Sequence, residues 1–150
     1  MNTKILLAAL VGGIAAFLLG YLVFGMLMMP MFTAHETSQY AGAMKDMTHP
    51  SASSFIAIFI ANLSWSLALA LIMSWSNMVG FMKGAVIGLV IGFLMQLSFD
   101  MFNLALMNMY TDSMIIVVDV IVNALFGAVI GGVIGWMMGM GKKAVTAPAM

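Results

Sequence analysis

The chain has 150 residues, 64% of them apolar and only 7% charged, and its formal net charge is zero. A mean hydropathy of +1.14 excludes an ordinary soluble domain, whose surface five basic and five acidic side chains could not cover. Neutrality without any basic cluster argues against nucleic acid as a partner, and the absence of cysteine excludes disulfides, thiolate metal sites and cysteine nucleophiles.

Four apolar segments of about 20 residues, each enough to cross a hydrocarbon core of roughly 30 Å, account for most of the chain and leave no room for a separate soluble domain. The prediction is an all-α, polytopic membrane protein, one domain over 1–150 built as a bundle of four transmembrane helices. The first span covers 5–29, uncharged behind Lys4 and ended by Pro30, which cannot continue helical hydrogen bonding. A cleaved signal peptide would carry a shorter apolar core of about 7–15 residues and a small-x-small cleavage site, so this span is expected to stay. The loop 31–50 follows, with His35, Glu36, Lys45, Asp46 and His49. Pro50 and the serines Ser51, Ser53 and Ser54 mark the start of a second span, 53–75. Ser76, Asn77 and Gly80 make a short turn into the third span, 83–109, whose internal charge is Asp100. Thr111, Asp112 and Ser113 offer oxygens to the free backbone donors of the fourth span, 113–140, which contains Asp119. The tail 141–150, with Lys142, Lys143 and Pro148, is expected to be disordered.

Lysines set the orientation, because basic residues favour the cytoplasmic side. With both termini cytoplasmic, Lys4, Lys83, Lys142 and Lys143 lie inside and only Lys45 outside. Trp75 and Trp136 then fall at the cytoplasmic interface and Tyr110 at the outer one. The implied location is the cytoplasmic (inner) membrane of a bacterium, with the lipid bilayer as the immediate surroundings.

Small residues recur every four positions: Gly84, Gly88 and Gly92 in the third span, and Gly127, Gly131, Gly135 and Gly139 in the fourth. Such glycine zippers let helix backbones approach closely where lipid supplies no apolar driving force. Gly12, Ala16 and Gly20 form a weaker stripe in the first span. Each zipper continues at the same step into polar residues: Gln96, Asp100 and Asn103 in the third span, Asp119 and Asn123 in the fourth. Asn62 and Ser66 add a pair in the second. A four-residue step keeps side chains on one face, so the three spans are expected to bring a polar cluster together in the outer half of the membrane. No basic side chain is predicted there. The aspartates are therefore protonated, share a cation, or line a wet cavity, and the bland alternative is a hydrogen-bonded plug.

The stretch Ser98-Phe99-Asp100-Met101-Phe102-Asn103-Leu104-Ala105, with Val118-Asp119-Val120, the glycine-rich last span and the aromatic, Met-rich patch from Phe24 to Phe32, resembles small bacterial four-helix membrane proteins classed as domains of unknown function. The resemblance covers most of the chain loosely. It implies the four-helix fold and no activity.

Methionine contributes 19 residues. Met26, Met28, Met29 and Met31 lead towards Met44, Met47 and His49, a set of thioethers and an imidazole suited to Cu(I). Methionine is equally abundant in spans three and four, where no ion is suggested, so it is read as apolar filler, with no metal or other cofactor assigned. An intramembrane aspartyl protease would need two aspartates on neighbouring helices, but its Gly-x-Gly-Asp motif is missing. With both histidines in the loop, no serine, histidine and acid constellation forms, and the chain is read as non-enzymatic. The expectation is an accessory or scaffold subunit packing through its glycine faces, in a homo-oligomer or a larger membrane assembly. The alternative is a proton, cation or small-solute transport bundle using Asp100 and Asp119.

Overall fold

Apolar side chains lie on all sides of each helix, so no helix carries one distinct apolar stripe, as befits elements surrounded by lipid as well as by one another. The computed structural model describes residues 3–40 and 51–140, and within them four helices are long and apolar enough to cross a membrane. They are α1 (Thr3–His35), α2 (Ala52–Trp75), α3 (Phe81–Leu106) and α4 (Met114–Gly139). The chain is a multi-pass helical membrane protein. Its outward faces carry residues such as Leu27 (73% exposed) and Phe102 (66% exposed), whose solvent is hydrocarbon.

Pro30 does not end the first helix. Tyr21–Met28 winds as a π-helix, and Met29–His35 then continues as α-helix with proline in its first turn. Proline lacks an N–H and its ring collides with the carbonyl four residues back in a regular helix. The wider turn before it moves that carbonyl aside. Residues 31–35, expected in the loop, are therefore helical, and α1 reaches the far end of the bundle. There Thr37 N–H donates to Met109 O at 2.9 Å and Thr111 N–H to His35 O at 2.8 Å, an antiparallel bridge centred on Glu36 and Tyr110. α3 stops at Leu106, three residues short of the expected end, and the chain is already extended at Met107 (φ −133°, ψ 130°) on its way to this bridge.

The other ends follow local chemistry. Ser51 Oγ accepts from Ser54 N–H at 3.2 Å to open α2, and Asp112 Oδ1 accepts from Met114 N–H at 2.9 Å at the start of α4. Between α2 and α3 the chain reverses through Asn77 (φ 54°) and Gly80 (φ 110°), a conformation glycine adopts at little cost. Residues 41–50 and 141–150 lie outside the described residues, and with them Met44, Met47 and His49 of the copper reading.

The helices are arranged as an arc. The closest pairing is α3 with α4, then α1 with α2, and α1 with α4 joins the two pairs. Although a short turn connects them, α2 and α3 barely touch. At the end bearing Thr3 and Gly139 the bundle is tight, with Ala8, Ala16, Leu69, Ala70, Met73, Ile130 and Ile134 fully buried. Lys4 Nζ donates to Met140 O at 3.2 Å at this end. A second, smaller core of Met28, Phe32 and Ile115 closes the opposite end. Between the two cores the arc is open.

Candidate functional site: a shared amide between two carboxylates

The glycine rows position the site. A Cβ on Gly84 would collide with Gly131 O, and one on Gly88 with Gly127 O; in return Gly127 and Gly131 would meet Gly88 O and Gly84 O. These helices thus touch backbone to backbone. Gly135 packs on Gly80 in the same way, and a Cβ on Gly139 would meet Gly80 at 3.4 Å. At Gly92 the fit loosens, a Cβ meeting Asn123 O at 2.8 Å and Gly127 Cα at 3.4 Å. Gly12 faces Ile134, Ala16 is fully buried, and a Cβ on Gly20 would meet only the Phe126 ring, at 3.7 Å. The α3 and α4 rows, and the α1 row as far as Ala16, are occupied within the chain.

One step beyond Gly92 comes Gln96. Its Nε2 donates to Asp119 Oδ2 at 2.8 Å on α4 and to Asp100 Oδ1 at 3.1 Å on its own helix. Asn123 Nδ2 donates to Asp119 Oδ1 at 2.8 Å and to Asp119 O at 3.0 Å. Asp119 therefore has both carboxylate oxygens paired. Asp100 is 3% exposed, and its Oδ2 has no hydrogen-bond partner among the described residues. Among the described residues no basic side chain hydrogen-bonds to the pair.

Gln96, Asp100, Asp119 and Asn123 form one chain of hydrogen bonds; Asn103 borders the same pocket as Asp100, whereas Asn62 and Ser66 of α2 do not join the chain. Asn62 Nδ2 donates to Ile58 O on its own helix at 2.8 Å. Ser66 is fully buried beside Gly12, with its hydroxyl unpaired among the described residues. With α3 ending at Leu106, Asp100 lies about 9 Å from its end at 1.5 Å per residue, not the ~15 Å the longer helix implies. Asn62 and Gln96 both lie about 15 Å from the corresponding ends of α2 and α3, so what keeps Asn62 out of the chain is the lateral gap between those helices.

Two cavities flank the pair. On the far side, Asp100, Asn103, Asn108, Tyr110, Asp112 and Ser113 enclose a small polar pocket of about 50 Å³. That is room for more than one water at roughly 10–15 Å³ each. Tyr110 roofs this region, stacked on Phe32 at 5.9 Å. Burial, together with the nearby carboxylates of Asp119, Asp100 and Glu36, pushes its phenol up to about 12, so it remains a neutral hydrogen-bonding group.

On the other side lies a cleft of about 580 Å³ that sequence reasoning did not find. All four helices line it. Phe17, Tyr21 and Phe24 come from α1, Phe55 and Trp65 from α2, Phe99 from α3 and Phe126 from α4, with Asn62, Gln96 and Asn123 as its main polar groups. Phe24 meets Phe126 edge-on at 5.5 Å, and Phe17 meets Phe59 edge-on at 5.6 Å. Exposed rim residues, Tyr21 on α1 and Met95 and Phe99 on α3, put its mouth on the side of the bundle, where α2 and α3 part. The only advance signal was the spacing of Phe17, Tyr21 and Phe24, which shares one helix face.

The chain matches no protein-family model, no curated protein and no solved structure.

Proposed function

We propose that this chain is a non-enzymatic protein of a bacterial cytoplasmic membrane that takes up and releases a proton or small cation at the Asp100–Asp119 pair. The observation that carries the reading is the unequal pairing of the two carboxylates. Asp119 has donors on both oxygens and suits the ionised form, which only accepts hydrogen bonds. Asp100 has one donor and a second, buried oxygen without any among the described residues. Two charges so close, away from water and with no basic partner among the described residues, need a proton or a cation between them. Asp100 is the member with an oxygen to offer, and it walls the small pocket that it shares with Asp112 and Ser113. In this reading Gln96 transmits the change, since one amide serves both carboxylates.

An accessory subunit drew its support from glycine faces available to a partner. Apart from the Gly20 end of α1, those faces are occupied inside the chain, and the remaining apolar surface is equally well covered by lipid.

Proteoliposomes enclosing a pH-sensitive dye test the proposal. Asp100→Asn should fold like the parent, because Asn is close to isosteric, yet lose the flux driven by an imposed pH or cation gradient; Asp100→Glu should retain part of it. Undiminished flux in a well-folded Asn variant, or no flux in the parent, overturns the reading. The orientation that accompanies it has both termini and the turn 76–80 in the cytoplasm. A cysteine at Ser38 should then react with an impermeant reagent in intact cells, and one at Ser76 only after lysis.

A further inference from the structure

The cleft holds aromatic faces and amide groups at the depth of the membrane, and its mouth opens to hydrocarbon. At about 580 Å³ it falls within the roughly 300–1,000 Å³ typical of small-molecule sites. Whatever enters arrives through lipid and must be largely apolar. The polar lining decides what else it must carry. Gln96 has its NH₂ turned to the two carboxylates, Asn123 has its NH₂ on Asp119, and Asn62 has its NH₂ on Ile58 O. Both N–H groups of Gln96 and both of Asn123 are used in this way, while Asn62 keeps one, so the carbonyl oxygens of Gln96 and Asn123 are the ends left for a ligand. Among the described residues no lysine, arginine or histidine lines the cleft. Behind its wall, one amide away, stands the doubly paired carboxylate of Asp119. Trp65, Tyr21, Phe99 and Phe126 add ring faces, which carry negative potential. Acceptor oxygens, ring faces and a carboxylate in a poorly screened interior all favour the same charge.

We infer that the cleft binds a lipophilic cation, an organic ammonium or phosphonium whose apolar groups fill the aromatic walls while its positive centre faces Gln96, Asn123 and the carboxylate behind them. The inference rests on the carboxylate pair being the chemical centre of the protein and names the class of solute that it would exchange for a proton. A neutral acyl chain or a partner helix would fill the apolar walls but leave the acceptor oxygens unanswered.

Tetraphenylphosphonium and tetraphenylborate, alike in shape and opposite in charge, provide the test on the purified unaltered chain in detergent. Saturable binding of the phosphonium should exceed that of the borate by about tenfold or more, an energy difference of about 1.4 kcal/mol. Asp119→Asn should weaken phosphonium binding by a similar factor, and Phe126→Leu, which removes one ring face, should weaken it as well. Equal binding of the two ions means simple partition into an apolar groove and overturns the inference, as does unchanged affinity in Asp119→Asn. Absent phosphonium binding alongside Asp100-dependent proton flux removes the cation site and leaves the proton reading standing. Selective phosphonium binding without proton flux removes the exchange and leaves the site.

Discussion

Towards the chain termini α3 and α4 meet backbone to backbone through Gly84, Gly88, Gly131 and Gly135, whereas beyond Gly92 the same two helices are held apart by side chains that carry polar groups. The difference lies in what occupies every fourth position. Glycine lets backbones close on each other, and the tight half needs no polar contact to hold it. Where the row changes from glycine to Gln96 and Asp100, the interface gains side-chain volume and hydrogen-bonding groups. The helices remain joined there by the Gln96–Asp119 bond, across an interface with room for a pocket on one side and a cleft on the other. One half acts as a clamp, which lets the other half be open without the bundle coming apart.

The sharpest way to break this comparison is to enlarge a residue in the clamp. Gly88→Leu puts a side chain where Gly127 O already stands, and neither backbone can yield without moving a whole helix. We expect a loss of about 3 kcal/mol or more, read as a large fall in thermal or SDS-induced unfolding midpoint in detergent. Leu89→Ala, one position away and 41% exposed on the lipid side, should cost far less. Gly92→Ala should fall between them, since Gly127 Cα at 3.4 Å leaves some slack although Asn123 O stands at 2.8 Å. If Gly88→Leu and Leu89→Ala behave alike, the α3–α4 contact is not what holds the bundle.

Much of this arrangement is legible in residue spacing. Gly84, Gly88, Gly92, Gln96 and Asp100 share a face because the step is four, and Asp119, Asn123, Gly127 and Gly131 share the facing one, so antiparallel packing brings glycine to glycine and acid to amide. Depth was less legible, because it depends on where helices stop. The end of α3 leads into a bridge to residues 35–37, a long-range contact that local propensity does not register, and the passage of α1 through Pro30 depends on a π-turn that the residues before it do not announce. Asn62 and Ser66 illustrate the remaining gap. They have the right spacing, yet the splay of α2 from α3 is a property of the assembled bundle, and it leaves Asn62 on a cleft wall and Ser66 in an apolar core. The cleft was invisible for the same reason.

The smallest effect is expected at Gly20, and it sharpens the comparison from the open side. Gly20 sits in the α1 row with Gly12 and Ala16, so spacing alone would rank it with the packing glycines. Its surroundings differ: a Cβ there would meet only the edge of the Phe126 ring, at 3.7 and 3.9 Å, which is ordinary van der Waals contact. Nothing must move to admit a methyl group, and alanine is a better helix former than glycine by up to about 1 kcal/mol. Gly20→Ala should therefore unfold within about 0.5 kcal/mol of the parent or slightly above it. The same methyl group projects into the cleft that Gly20 lines, so binding of tetraphenylphosphonium should weaken in a protein whose stability is unchanged. A marked loss of stability in Gly20→Ala would mean that α1 is pressed against α4 as closely as α3 is, and that the open half of the bundle is closed in the membrane.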